Sequence, residues 1–241
     1  MPKSGPVWRR AILSAEQATV TAVICTKNEA ATLSEVIEAV KPRVDNVLVI
    51  DGHSTDGTRE IAAELGAEVQ LDNGRGKGAA IRQAIDYLEC DIIVFIDADG
   101  SHDAADIPKL IEPIAKGNAD LVIGCRITGG SDELAGDWGS FVRSTGSQII
   151  NLIVNWRFRV RLTDIQNGYR AVRTSCAKDL PLIENITTIE QEMAIKALKK
   201  RYRVLNVPSH EYRRKSGISR ISVPRFACRY VWEVIRDAVL S

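Results

Sequence analysis

No run of about 18 consecutive apolar residues occurs anywhere in this 241-residue chain, so the sequence predicts no helix that crosses a bilayer. Met1 to Arg10 carries charges without an apolar stretch behind them and is not read as a secretory leader. An excess of one charge is also missing: the formal net charge is +1, which speaks against a dedicated nucleic-acid binder and excludes nucleic acid as the expected partner. Cysteine is scarce and unpatterned. Cys25, Cys90, Cys125, Cys176 and Cys228 lack metal-site spacing, several sit in apolar runs, and they read as reduced core residues of a cytosolic protein. What remains is an ordinary globular composition, 45% hydrophobic and 26% charged, of a length that fits one domain.

The charge balance is local rather than uniform. Residues 199–229 hold Lys199, Lys200, Arg201, Arg203, Arg213, Arg214, Lys215, Arg220, Arg225 and Arg229, with Glu211 as the sole acid. A cluster of this kind needs a reason beyond solubility.

Strand and helix patterns alternate. Residues 1–18 read as an arm, 19–222 as the domain and 223–241 as a C-terminal amphipathic helix. Thr21–Thr26, Asn46–Ile50, Glu68–Leu71, Asp91–Ile96 and Ala119–Gly124 read as strands. Helices are expected near 31–40 (Thr32 and Glu35 forming a capping box), 58–65, 79–89 and 108–116. A glycine- and acid-rich loop follows at 129–139. Beyond it the sequence predicts a helix from Ser140 to about Val154 with Phe141, Ile149, Ile150, Leu152 and Ile153 on an apolar face. A return to the sheet at 164–173, a helix at 189–199 and a last strand at 202–207 complete the order. Repeated strand–helix units mean an α/β fold, with a Rossmann-like, mostly parallel sheet flanked by helices.

Chemistry concentrates where strands end. Ile92–Ile96 is a buried strand followed by Asp97-Ala98-Asp99, two carboxylates at a carboxyl end, where open α/β sheets bind ligands. Carboxylate pairs suit Mg2+ or Mn2+, with substrate phosphates completing the shell; the plainer reading is a solvated acidic turn. The first strand ends near Asn28-Glu29 and the second in Asp51-Gly-His-Ser54-Thr-Asp56-Gly57-Thr58, where Asp51 is suited to accept from a base or ribose. Asp56 and Thr58 read better as turn and cap residues. Arg75-Gly-Lys77-Gly78 is a basic turn opening a helix, a setting that suits a diphosphate.

In this order the motifs resemble the family-2 glycosyltransferases of GT-A fold, and within them the dolichyl- or polyprenyl-phosphate sugar synthases, over about residues 22–222. The resemblance implies an inverting transfer from a UDP- or GDP-sugar to a lipid phosphate, with a divalent ion. It places Thr26, Asn28, Glu29, Asp51, Lys77, Asp97 and Ala98 around the donor and makes Asp97 and Asp99 the metal residues, with Asp99 catalytic. Two departures stand out: Asp51 is followed by Gly52 and His53 rather than a second acid, and Asp99 by Gly100-Ser101-His102-Asp103, leaving the third ligand open among Ser101, His102, Asp103 and water.

Arg126 and Arg143 are the candidates for the acceptor phosphate, since a guanidinium fork matches phosphate oxygens. Asp164, in a Thr-Asp-Ile-Gln-Asn-Gly-Tyr-Arg run, is the candidate for positioning the acceptor or acting as base; Glu190 and Glu192 rank below it. Arg213, Ser219 and Arg220 lie in a segment similar to the family's Arg-x-x-Gly-x-Ser-Lys loop, which closes on the donor diphosphate. The helix at 140–154 and the basic tail suit peripheral contact with the cytoplasmic membrane face; a core-packed tail or a homodimer contact is the alternative. The same chemistry on a soluble phosphorylated acceptor, and a non-catalytic nucleotide-sugar-binding module, are the rival functions.

Overall fold

The structure, a computed structural model, describes residues 18–132, 138–214, 230, 232 and 234–240, with the side chains of 138–144, 235, 239 and 240 outside the description. Seven strands, β1 (Val20–Thr26), β2 (Asn46–Asp51), β3 (Glu68–Leu71), β4 (Ile92–Phe95), β5 (Leu121–Cys125), β6 (Arg170–Arg173) and β7 (Val204–Pro208), form one sheet. Its order is β3-β2-β1-β4-β6-β5-β7. β6 runs antiparallel to both neighbours; the other pairs are parallel. The helices are α1 (Ala30–Val40), α2 (Thr58–Glu64), α3 (Lys77–Tyr87), α4 (Ile107–Ala115), a single turn α5 (Arg126–Gly129), α6 (Trp138–Phe158), α7 (Thr174–Asp179) and α8 (Ile189–Lys199).

The apolar runs explain the sheet. Every residue of β4 and β5 is buried, as central strands covered on both faces must be. Two apolar clusters follow, one on each face. The first packs Ala80, Ala84, Ile150, Val154, Met193 and Leu198, from α3, α6 and α8, over one side. The second packs Leu33, Ile37, Leu110 and Ile114, from α1 and α4, over the other. The expected α/β architecture with a mostly parallel sheet is present.

Three details differ from the sequence reading. The capping box does not form: α1 starts at Ala30, Glu29 supplies no side-chain cap, and Thr32 Oγ1 instead donates to the Ala98 carbonyl at 2.7 Å. The return after the long helix is a strand of four residues, Arg170–Arg173, preceded by a coil rather than a strand from Asp164. The predicted helix of 140–154 extends to Phe158, and its apolar residues divide: Ile150 and Val154 are buried, whereas Ile149 and Leu152 are exposed.

Among the described residues no helix is long and apolar enough to cross a membrane. Cys25, Cys90, Cys125 and Cys176 are free, and Cys228 lies outside the described residues. The expected arm, 1–18, falls outside too except for Ala18, which is buried in the second cluster. Of the expected tail helix, Tyr230, Trp232 and Val234 are helical and Ile235–Leu240 forms a π-helical turn. Val234, Asp237 and Ala238 are buried. Tyr230 accepts at its carbonyl from Gln191 Nε2 at 2.9 Å, and Arg236 reaches Glu184 at 3.0 Å. This part of the tail is therefore packed on the core.

Candidate active site

The topology decides where the chemistry meets. From β1 the chain crosses by α1 to β2 on one side, and later by α3 to β4 on the other, so the crevice between the carboxyl ends of β1 and β4 is the switch point of the sheet. Asp97 to Asp99 follow β4 at that edge. Because β6 is antiparallel, with Arg170 opposite Phe95 and Ile123, the segment that precedes it, residues 164–169, emerges at the same edge.

Asp97 is the centre of a charged cluster. Lys77 Nζ stands 2.6 Å from Asp97 Oδ1 and 2.7 Å from Glu190 Oε1. His102 Nε2 lies 3.5 Å from Asp97 Oδ2, and the His102 ring stacks on Tyr169 with centroids 4.9 Å apart. Burial alone would raise the Asp97 carboxyl, but Lys77 and His102 outweigh it and hold it well below the usual carboxylate range. Burial would lower Lys77, yet Asp97 and Glu190 hold its ammonium above the usual lysine value. Gly168 closes the cluster: a Cβ there would meet Asp97 Oδ2 at 3.0 Å and Glu190 Oε1 and Lys77 Nζ at 3.1 Å.

Asp99 is buried and accepts at Oδ1 from Ser101 N at 3.0 Å and Ser101 Oγ at 2.6 Å. Its Oδ2 faces Arg214 Nε at 3.4 Å. Thus the basic segment already touches the Asp97/Asp99 turn, and Tyr212 N donates to the Ser101 carbonyl at 2.8 Å. Oxygen-only donors on one turn have the chemistry that Mg2+ and Mn2+ take. Among the described residues no three His, Cys, Asp or Glu side chains are grouped to hold an ion. Asp97 and Asp99 therefore fit an ion only with phosphate or water oxygens completing its shell, and Arg214 would have to yield Asp99 to it.

The nucleotide-side candidates form a hydrogen-bonded wall. Asp51 is fully buried; it accepts from Ser54 N at 2.8 Å, from the Ser54 hydroxyl, and from Thr26 Oγ1 at 3.2 Å. Asn28 adopts a left-handed backbone (φ 56°); its N–H donates to Ser54 Oγ at 2.8 Å and its Oδ1 accepts from Thr55 N at 2.9 Å. Glu29 N donates to Thr58 Oγ1 at 3.0 Å. Asp56 and Thr58 serve the turn, as read from the sequence. The glycine-rich turn departs from the phosphate-cradle reading. Gly78 N donates to the Asn185 carbonyl at 2.9 Å, and a Cβ on Gly78 would sit 2.5 Å from the Glu184 carbonyl oxygen, so those glycines serve close packing.

On the other side Arg126 grips Asp164 with Nε at 2.7 Å from Oδ2 and the second terminal nitrogen at 3.1 Å from Oδ1, while its remaining nitrogen lies 3.4 Å from Glu211 Oε1. Burial would lower this guanidinium, but Asp164 and Glu211 hold it above its ordinary value. Asp164 also accepts from Gln166 N at 3.2 Å, so its oxygens are committed to orienting Arg126 and its own loop. Arg213 is exposed, and its backbone N donates to Asp132 Oδ2 at 3.3 Å. Position 143 lies within α6 with its side chain undescribed, and Ser219 and Arg220 lie outside the described residues.

Two acids gain weight that the sequence reading did not give them. Glu190 shares Lys77 with Asp97, and Glu192 is turned away, accepting from the backbone of Ile183 and Glu184. Glu211 binds Arg126 and accepts from Ser131 Oγ, and its signal was being the sole acid in a cationic stretch.

Known proteins place this geometry. Residues 21–178 match the family described as Glycosyl transferase family 2. Glycosyltransferase AglJ of Haloferax volcanii is 37% identical over 80% of this chain, which spans 62% of that relative's length. An undecaprenyl-phosphate mannosyltransferase of Micrococcus luteus is 31% identical over 90% of this chain and 97% of its own. Among solved structures, glucosyl-3-phosphoglycerate synthase from Mycobacterium tuberculosis, in complex with Mn2+, uridine diphosphate and glucosyl-3-phosphoglycerate, superposes with a TM-score of 0.72 at 20% identity, over 96% of this chain and 86% of that one. The fold is the GT-A fold, and the chain, a glycosyltransferase, belongs to glycosyl transferase family 2.

Proposed function

We propose that this enzyme moves a sugar, with inversion, from a UDP- or GDP-sugar onto a phosphate group carried by a polyprenyl or dolichyl chain. The observation that carries this reading is Arg126, a guanidinium held in place by Asp164 and Glu211 at the edge where the Asp97/Asp99 turn lies. Asp164 takes the Nε side of this guanidinium, and the terminal N–H groups that the two acids leave over suit a phosphate oxygen. The relatives named for dolichyl- and undecaprenyl-phosphate support it.

The donor nucleotide would lie against Thr26, Asn28, Glu29 and Asp51, with its diphosphate toward Lys77, Asp97, Ala98 and Asp99. Asp97 and Asp99 are the residues that would hold a divalent ion, which when bound would neutralise charge on the leaving diphosphate. Arg214, 3.4 Å from Asp99, stands where its guanidinium would add positive charge beside the leaving diphosphate. Arg213 lies in the same segment, and the sequence candidates Ser219 and Arg220 follow it outside the described residues.

Arg126 holds the acceptor phosphate, with Arg143 as the second sequence candidate for that role, and the phosphate oxygen attacks the anomeric carbon from the face opposite the leaving group. A phosphate monoester is already largely ionised near neutral pH, so Asp164 acts by holding Arg126 rather than by taking a proton. A soluble phosphorylated acceptor is the second reading, supported by the fold neighbour glucosyl-3-phosphoglycerate synthase, which is complexed with such a compound.

Calorimetric titration with UDP, GDP and their sugar conjugates, in Mn2+ and in EDTA, tests the donor side. Metal-dependent binding of one nucleotide, lost in Asp99→Ala, is expected. A transfer assay offering polyprenyl phosphate and small phosphorylated metabolites side by side then decides the acceptor. No nucleotide binding under either condition overturns the whole reading.

A further inference from the structure

The outward face of α6 is apolar without a partner among the described residues. Ile149, Leu152 and Trp156, exposed to 53%, 67% and 80%, lie three and four positions apart and so line one stripe about 10 Å long. The opposite face is firmly seated. Ile150 and Val154 enter the core, Asn151 Nδ2 donates to the Thr163 carbonyl at 2.6 Å, and Asn155 brackets Leu162 with bonds of 2.7 Å and 2.8 Å. The stripe therefore cannot be hidden by rolling the helix without breaking those bonds.

The stripe's own segment carries one sign of charge. Residues 138–163 contain Arg143, Arg157, Arg159 and Arg161 and no acid at all. Arg157, Arg159 and Arg161 are exposed, and they follow Trp156 immediately. Arg159 takes a left-handed backbone (φ 55°) that ends the helix, and the Asn155–Leu162 bonds fix the arginine run beside the helix end. The run leads directly into Asp164, the residue that grips Arg126.

We infer that this face, Ile149, Leu152 and Trp156 with Arg157, Arg159 and Arg161, docks on the surface of an anionic lipid bilayer. An indole at the end of an apolar stripe matches the headgroup boundary, where one part of the ring is buried and the N–H stays wet. The acid-free arginine flank adds attraction that a zwitterionic surface would not provide. A second copy of the chain would bring the same cations against each other, which disfavours a self-complementary contact. For its purpose the docking rests on the lipid-phosphate reading: the same face would set the Arg126 edge close to the headgroups. The stripe extends the sequence-level expectation of a membrane-facing 140–154 helix to Trp156 and the arginines beyond it, and removes Ile150 from it.

Flotation of the full chain with phosphatidylcholine vesicles, with and without about 30% phosphatidylglycerol, tests this with neither donor nor acceptor present. Binding is expected only on the anionic vesicles and should weaken in high salt. Leu152→Ser with Trp156→Ser, and separately Arg157→Gln with Arg161→Gln, should each lower it about tenfold or more, with unfolding temperatures unchanged. Arg159 is left in place because its backbone conformation matters to the helix end. Absence of binding by the unaltered protein overturns the inference. So does binding that neither double variant weakens, or a dimer that dissociates in Trp156→Ser while vesicle binding persists. Should vesicle binding hold while transfer to polyprenyl phosphate fails, the acceptor reading falls and the docking face stands; transfer in detergent without vesicle binding gives the reverse.

Discussion

Lys77 and Glu190, 113 residues apart in the chain, form an ion pair of 2.7 Å, and the same ammonium reaches Asp97 at 2.6 Å. One cation thus holds two carboxylates together at the end of β4. Removing it sets two acids side by side with no charge between them.

Lys77→Met is therefore expected to destabilise the fold by about 2 kcal/mol near neutral pH, less than a fully buried pair would cost, because Lys77 and Asp97 keep some solvent access. The sign with pH follows from the shifts. Asp97 is held below its ordinary value, so its contribution is complete above about pH 4 and fades as pH falls toward the folded value. Lys77 is held above its ordinary value, so its contribution is complete below about pH 10 and is lost only at higher pH. Urea unfolding of both proteins should show a gap that is constant between about pH 6 and 9 and narrows below about pH 4. A gap that widens in acid would mean that Lys77 is not the group holding Asp97.

Gly168→Ala adds one methyl group where the three charged atoms of that cluster stand 3.0 to 3.1 Å away. The carboxylate of Asp97 has to move by a few tenths of an ångström, and it is one of the two residues assigned to the ion. A stability loss of about 1 kcal/mol is expected, with a larger effect on function: nucleotide affinity in Mn2+ should fall about tenfold while the affinity in EDTA stays level. Calorimetry in both conditions separates this from simple destabilisation, which would lower both.

The sequence exposes those parts of the fold that are local. β4 and β5 are legible because a strand covered on both faces must be an unbroken apolar run, and Asp97-Ala98-Asp99 is legible because it terminates one. The partners of those carboxylates are not legible. Glu190 reaches Lys77 across 113 residues from the start of α8, which Arg170 of the antiparallel β6 ties to this edge, and a four-residue strand gives little sign of its direction. Glu211 finds Arg126 across 85 residues through the bridges it makes with His102 and Ser131. Gly76 to Gly78 misled for the same reason: a glycine that lets a ligand approach and one that lets the chain at Asn185 approach look alike in sequence. In α6 the 3.6-residue period identifies a helix, but apolar residues occupy both its faces, so periodicity alone could not separate Ile150 from Leu152.

Arg170 is fully buried, and among the described residues its guanidinium donates to carbonyls: Asn167 at 3.0 Å, Glu190 at 2.6 Å and Ile165 at 3.2 Å. Burial pushes it down to about 10, against the pull of Glu190, Asp164 and Asp97, so it stays charged at neutral pH. It binds the loop before β6 to the start of α8, which is to say it positions Asn167, Gly168 and Glu190 together. Arg170→Met keeps bulk but strands those carbonyls and removes the balancing charge, and should cost about 3–5 kcal/mol. Thermal and urea unfolding measure it. A loss under about 1 kcal/mol would show that water replaces the guanidinium there.

Arg126→Lys keeps the charge and removes the fork. A lysine cannot make both the 2.7 Å and 3.1 Å contacts to Asp164 and still reach Glu211. Since the proposed role of that fork is to hold a tetrahedral anion, KM for the phosphate acceptor should rise about tenfold or more while donor binding by calorimetry is unchanged. Asp164→Asn makes the complementary case. It leaves Arg126 in place but loosens its orientation, so kcat should fall with a smaller change in acceptor KM, and the pH profile should keep its shape because no proton passes through residue 164. If instead Asp164→Asn abolishes turnover and removes a basic limb from that profile, Asp164 is the base and Arg126 its counter-ion, and the two assignments exchange places.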